Sequence, residues 1–181
     1  MIHHYKDKHP IIDPSAYIAH DATIIGDVTI EEEASIYFKA VIRGDVNSTF
    51  IGKRVNVQDL SLIHQSPKYP VILHDNVTIG HQATLHGCTV HDNALIGMDS
   101  VLLDGSEVGE FALIGAGSLV SQNTKIPAYT LAYGRPARVV RELTEEEVAE
   151  LKRITQSYVD KGKYYNSIPS LRFDHQNLKN G

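Results

Sequence analysis

A chain of 181 residues with 42% hydrophobic and 22% charged side chains has the composition of an ordinary folded domain, not of a disordered tail. Its net charge of −5, from 17 basic and 22 acidic residues, speaks against a nucleic acid partner, which requires a basic field. One cysteine, Cys88, excludes a disulfide framework within the chain, and no run of about 18 apolar residues is present to cross or anchor in a membrane. The first ten residues, Met1 to Pro10, lack the apolar stretch of a signal peptide, so the expected location is cytoplasmic.

From Ile12 every sixth residue is isoleucine: Ile12, Ile18, Ile24, Ile30, Ile36 and Ile42. The register skips Ser48, Thr49 and Phe50 and resumes at Ile51, Val57 and Ile63. A longer break from His64 to Ile72 carries Pro67 and Pro70, and Leu73, Ile79 and Leu85 follow it. One residue is then dropped, and Val90, Ile96, Leu102, Val108, Ile114, Val120 and Ile126 complete the series. With these three phase shifts, all 19 register positions are Ile, Val or Leu. The residue four places further on is usually small or Val, as in Ala16, Ala22, Val28, Ala34, Ala40, Val46, Ala83, Ser100 and Ser118. That restriction marks a second buried position at a tight corner. Cys88 sits among these small corner residues and reads as inert packing.

A helix repeats apolar residues every three or four positions and a strand alternates by two, so a period of six fits neither alone. It fits short parallel strands joined by tight turns and wound into a solenoid, three hexapeptides to a triangular coil of about 18 residues. Nineteen hexapeptides give roughly six coils, stacked about 4.8 Å apart. The expected fold is all-β: a parallel β-helix over residues 1–136, with a central column of Ile, Val and Leu.

Tyr133-Gly134-Arg135-Pro136 reads as a turn, and residues 137–163 are expected to supply a helix packed on the solenoid. Thr144 suits the N-cap and Glu147 the capping-box position; Val148, Leu151, Ile154, Thr155 and Tyr158 share one face, and Gly162 is a natural stop. Residues 164–181 read as a mostly polar tail in which Tyr164, Tyr165, Ile168, Leu171 and Phe173 are able to dock.

Counting register positions assigns each residue to a face. Ile12, Ile30, Ile51, Leu73 and Val90 share face A; Ile18, Ile36, Val57, Ile79 and Ile96 share face B; Ile24, Ile42, Ile63, Leu85 and Leu102 share face C. The residue after each register position points outward, so Arg43, His64 and His86 form one outward column on face C. Two imidazoles on neighbouring strands, about 5 Å apart, can share a metal, whose bonds to nitrogen are about 2.0 Å. A catalytic zinc usually takes three protein ligands. The third candidate, His81, falls on face B beside Asp59, where a single prism holds it away from His64 and His86. Two prisms side by side would join them, placing the metal at a subunit interface, and a closed three-fold ring suits such a contact. His74 and His91 fall on face A, and His3, His4, His9 and His20 near the start; these read as solvated.

RGDVNS at 43–48, VNVQDLSLIH at 55–64, IGHQATLHGCTV at 79–90 and LAYGRPARVVREL at 131–143 resemble the gamma-class carbonic anhydrases. The resemblance spans about residues 10–162 and implies a left-handed β-helix, a homotrimer, and Zn2+ or another divalent metal such as Fe2+ or Co2+ between subunits. It implies His64 and His86 as ligands from one subunit and His81 as the ligand from the neighbour. Gln58 and Asn56 match polar residues near the metal-bound water, Arg43, Asp45 and Asp59 match the charged set at the interface, and Tyr133 stands in for a polar residue near the water. The implied reaction is reversible hydration of CO2 to bicarbonate, by water whose pKa a bound metal brings to about 7. Members with acidic loops carry proton-shuttle carboxylates; here Val46 and Asn47 follow Asp45, and Gln65 to Pro70 contains no acid.

The repeat alone also suits a hexapeptide-repeat acyltransferase using acetyl-CoA, but three grouped histidines exceed the need for one general base. A thioesterase-like hydrolase would use the same metal and water. A ferripyochelin-binding-type protein would need a siderophore pocket that nothing in the sequence shows.

Overall fold

The structure, a computed structural model, describes residues 1–173. It is a parallel β-solenoid followed by one long helix, Glu145–Asn166. Partners in adjacent coils follow the hexapeptide register residue for residue. Along face A, Ile12, Ile30, Ile51, Leu73, Val90, Val108 and Ile126 are successive parallel partners. Face B stacks Ile18, Ile36, Val57, Ile79, Ile96 and Ile114, and face C stacks Ile24, Ile42, Ile63, Leu85, Leu102 and Val120. Ile2 stacks before Ile24 on face C and Ala132 after Ile114 on face B, so each face has seven levels, one more than the roughly six coils counted from the register. Except for Ile12, half-buried in the first coil, every register residue is at most 4% exposed.

The corner position counts backward from the next register residue. Thr49, Val71 and Cys88, each two places before the register resumes, are buried, and these three are the points where the phase shifts. Val46, expected among the corner residues, is instead exposed, because the three extra residues before Ile51 carry it into an outward excursion. From Ile30 onward, the third residue after each unshifted register position turns through the left-handed region whatever its side chain: Leu60 at φ 64°, Phe111 at 53° and Tyr129 at 57°. Such a residue costs roughly 1–2 kcal/mol. Each donates its N–H to a carbonyl of the preceding coil, Leu60 to Phe38, Phe111 to Asp92 and Tyr129 to Glu110, at 2.9 to 3.0 Å, so the ladder holds the turn.

Most strands are two or three residues long. Thr23–Ile30 and Val41–Ile51 run through a corner instead and join faces A and C into one sheet. Face B is a separate eight-stranded sheet. It is closed at its far end by an antiparallel pair, Thr130–Gly134 with Ala137–Glu142. The segment expected to lead directly into the helix is therefore first a strand.

The capping box at Thr144 and Glu147 is formed, Thr144 N–H donating to Glu147 at 2.9 Å and Glu147 N–H to Thr144 Oγ1 at 3.3 Å. Gly162 does not stop the helix. It is buried where a Cβ would lie 3.2 Å from Ser35 Cβ, so glycine lets the helix settle on face B, and the helix continues to Asn166. Leu151, Thr155 and Val159 are buried with it, and Tyr158 and Tyr165 pack edge-on to Tyr37. Beyond the helix, Leu171 accepts from the Tyr17 hydroxyl and Phe173 N–H donates to Ile18, while Tyr164 stays exposed. The tail beyond Phe173 lies outside the described residues. Among the described residues no helix is long and apolar enough to cross a membrane.

Candidate metal centre

The parallel ladder on face C sets Arg43, His64 and His86 in register on consecutive coils. The two imidazole centroids are 5.2 Å apart, and His64 Nδ1 faces His86 Nε2 at 3.2 Å. The remaining ring nitrogens are each tied to a carboxylate. His64 Nε2–H donates to Asp45 Oδ1 at 3.0 Å, and His86 Nδ1–H donates to Asp104 Oδ1 at 2.6 Å. Arg43 donates to the other oxygen of Asp45. Desolvation works against the charged form of Asp45, but the hydrogen bonds from Arg43 and His64 outweigh it and hold its pKa below the ordinary carboxylate value.

This pair fits a divalent metal. Two nitrogens bound at about 2.0–2.1 Å with tetrahedral angles lie about 3.3 Å apart, close to the 3.2 Å found here. Outer ring nitrogens held by carboxylates are the usual support of metal-ligating histidines. His81 is held by Asp59, Nδ1 to Oδ2 at 2.7 Å, on face B. Among the described residues no group of three or more His, Cys, Asp or Glu is placed to hold a metal within one chain.

Behind His81 lies a buried polar row. Gln58 donates to Asn56 Oδ1 at 3.0 Å, and Asn56 donates to Thr78 Oγ1 at 2.8 Å. Tyr158 of the helix lies beside the Gln58 side chain; burial and the nearby Asp59 charge raise its pKa, and the polar Gln58 amide opposes the rise. Gln58, Gly80, His81, Leu95, Met98 and Tyr158 line a cleft of about 420 Å³. Tyr133 follows Gln58, Gly80, Gly97 and Gly115 in the same outward column. It stands three coils beyond Gly80, about 14 Å away, and is half-exposed. In the single chain it is apart from the polar row. His74 and His91 stack with centroids 4.9 Å apart on face A, away from the site.

Three residues of this arrangement escape a reading of the sequence: Asp104, Thr78 and Tyr158. Asp104 lies two places after Leu102 on face C, one coil beyond His86, and that position was its signal. Thr78 precedes register residue Ile79 as Asn56 precedes Val57, which makes them neighbours. Tyr158 carried no such signal, because only the docked helix shows which strand it meets.

The fold defines a hexapeptide-repeat solenoid, and residues 87–122 match the model of the bacterial transferase hexapeptide (six repeats). The chain is 58% identical over 172 residues to a carbonic anhydrase of Geobacillus kaustophilus, covering 95% of this chain and 94% of that protein. It is 40% identical to the mitochondrial gamma carbonic anhydrase 2 of Arabidopsis thaliana, over 93% of this chain but 63% of that longer protein. The crystal structure of the product of the BC4754 gene of Bacillus cereus superposes with a TM-score of 0.92 at 59% identity, covering 92% and 97% of the two chains. The chain belongs to the gamma carbonic anhydrase-like hexapeptide-repeat family.

Proposed function

We propose that the protein is a gamma-class carbonic anhydrase, a homotrimer in which His64 and His86 of one subunit and His81 of the next hold one divalent metal, zinc in the first instance. The observation that carries this reading is the pair of imidazole nitrogens facing each other at 3.2 Å with both outer nitrogens on carboxylates. When bound, the metal supplies the Lewis acidity that makes water a nucleophile near neutral pH. Gln58, held by Asn56 with Tyr158 beside it, presents a fixed amide to orient that water against CO2. Arg43 keeps Asp45 charged, and Asp45 fixes the ring of His64. Proton export has no carboxylate of its own. Val46 is exposed and apolar, and the Asn47 amide is spent on the carbonyls of Ser66 and Pro67 at 3.2 Å.

A second reading is thioester hydrolysis at the same centre: in the single chain a cleft of about 420 Å³ lined by Leu95, Met98 and Leu113 adjoins His81, and the part of it that the neighbouring subunit leaves open would take an acyl chain. A zinc-loaded sample, analysed for metal and assayed for CO2 hydration and for thioester hydrolysis, separates these readings. The expected result is about one zinc per chain and CO2 hydration whose rate rises with buffer concentration at fixed pH. Full metal loading with thioester hydrolysis alone would move the function to the second reading. A metal-free protein with acyltransferase activity would overturn both.

A further inference from the structure

We propose that Asp104 is a positioning residue that fixes the tautomer and orientation of His86 and thereby sets the metal affinity of the site. The inference rests on the reading of His64 and His86 as ligands of one metal. It starts from a break in a local rule. On face A, the two aspartates two places after a register residue accept the backbone N–H of the equivalent residue in the preceding coil. Asp75 Oδ1 accepts from Lys53 N–H and Asp92 Oδ1 from Asp75 N–H, both at 2.9 Å. By that rule Asp104 would accept from Gly87 N–H. That N–H donates instead to the His64 carbonyl at 3.1 Å, and Asp104 Oδ1 turns to His86 Nδ1 at 2.6 Å.

The cause is the dropped residue between Leu85 and Val90. The shortened corner puts the left-handed turn at Gly87, with φ +55°, one place earlier than at the unshifted corners from Ile30 onward. A Cβ there would lie 2.6 Å from Asp104 Oδ1 and 3.0 Å from Tyr69 Cβ, so the bare glycine leaves the passage through which the carboxylate reaches the ring. The backbone of Asp104 is held from the next coil by Asn123 N–H at 2.9 Å. With its Nδ1–H committed to Asp104, His86 leaves Nε2 as the nitrogen with the free lone pair, and Nε2 is the atom that faces His64. Asp45 plays the matching part for His64. The next residue in the outward column is Leu103, so the support ends where the imidazoles end.

The test compares the parent with Asp104→Ala, Asp104→Asn and Asp75→Ala. Zinc affinity is read by competition with a chromophoric chelator, and the His86 tautomer by nitrogen-15 NMR of the metal-free protein. Asp104→Ala should weaken zinc about 10–100-fold and release the Nδ1–H tautomer. Asp104→Asn, which keeps an accepting oxygen, should retain the tautomer and most of the affinity. Asp75→Ala removes a carboxylate of the structural kind and should leave both readouts unchanged. Equal zinc affinity in the parent and Asp104→Ala, or an unchanged His86 tautomer, overturns the proposal. A parent that binds no zinc overturns the functional reading beneath it, an outcome visible before any variant is made.

Discussion

Tyr158 shows how one side chain couples the helix to the site. Its ring packs edge-on against Tyr37, and it lines the same cleft as Gln58, whose amide is already committed to Asn56. Removing the hydroxyl leaves the ring packing in place and takes away the polar neighbour of the Gln58 amide. Tyr158→Phe is therefore expected to fold and to bind metal as the parent does, and to lose several-fold in CO2 hydration. Assay and metal content measured on one preparation check this; an unchanged rate would show that Asn56 alone holds Gln58. The column of Arg43, His64 and His86 was legible in the sequence, because a register position fixes a face and its successor points outward. Tyr158 was legible only as apolar helix periodicity. A tyrosine at a packing position gives no indication of what its hydroxyl will meet. Asp104 lay between these cases: its face was readable, but the corner rule predicts a backbone partner and the shortened coil supplies an imidazole.

The helix entry can be followed by pH. Glu147 closes the capping box and also pairs with both terminal nitrogens of Arg141, at 2.7 and 2.8 Å. The Arg141 hydrogen bonds, followed by the Thr144 N–H, bring the Glu147 pKa from its ordinary 4.5 down to about 2. The folded state thus prefers the charged form. Its stabilisation is fully present above about pH 4.5 and fades as pH falls towards 2. The pair lies at the surface and is partly covered, so the effect should be local fraying and not global unfolding. Helical ellipticity at low ionic strength should decline through this acid range in the parent, and Glu147→Gln should start lower and flatten that part of the curve. A variant that titrates like the parent would place the transition elsewhere. The capping residues made this helix start readable. The strand Ala137–Glu142 just before it was not, because Arg138-Val139-Val140-Arg141 acquires strand character only from its pairing with Thr130–Gly134.

At the scale of the molecule, the period of six was sufficient to place every face, since the ladder preserves register through all three phase shifts. The corners were less legible where the phase shifts, because a residue count cannot show which side of an insertion bulges outward; Thr49, not Val46, is the one that packs. Under the proposed function, the same geometry leaves the single chain one ligand short of a metal centre. His64 and His86 converge on face C, while His81 and Asp59 stand together on face B. A second copy that presents its face B to face C of the first would supply the third nitrogen, and three such heterologous contacts close a ring. Sedimentation of the zinc-loaded protein is expected to give three times the chain mass. His81→Ala should abolish zinc binding with little change in the unfolding midpoint of the solenoid, because this half-exposed ring lies outside the column of Ile79, Ile96 and Ile114. Mixing His81→Ala with His64→Ala subunits is the sharper measurement. Each variant alone lacks a ligand at every site, whereas a mixed trimer contains interfaces where an intact His64 and His86 meet an intact His81. Zinc uptake should return on mixing and scale with the fraction of mixed trimers. A zinc-loaded monomer, or zinc retained by unmixed His81→Ala, would show that the metal is held within one chain.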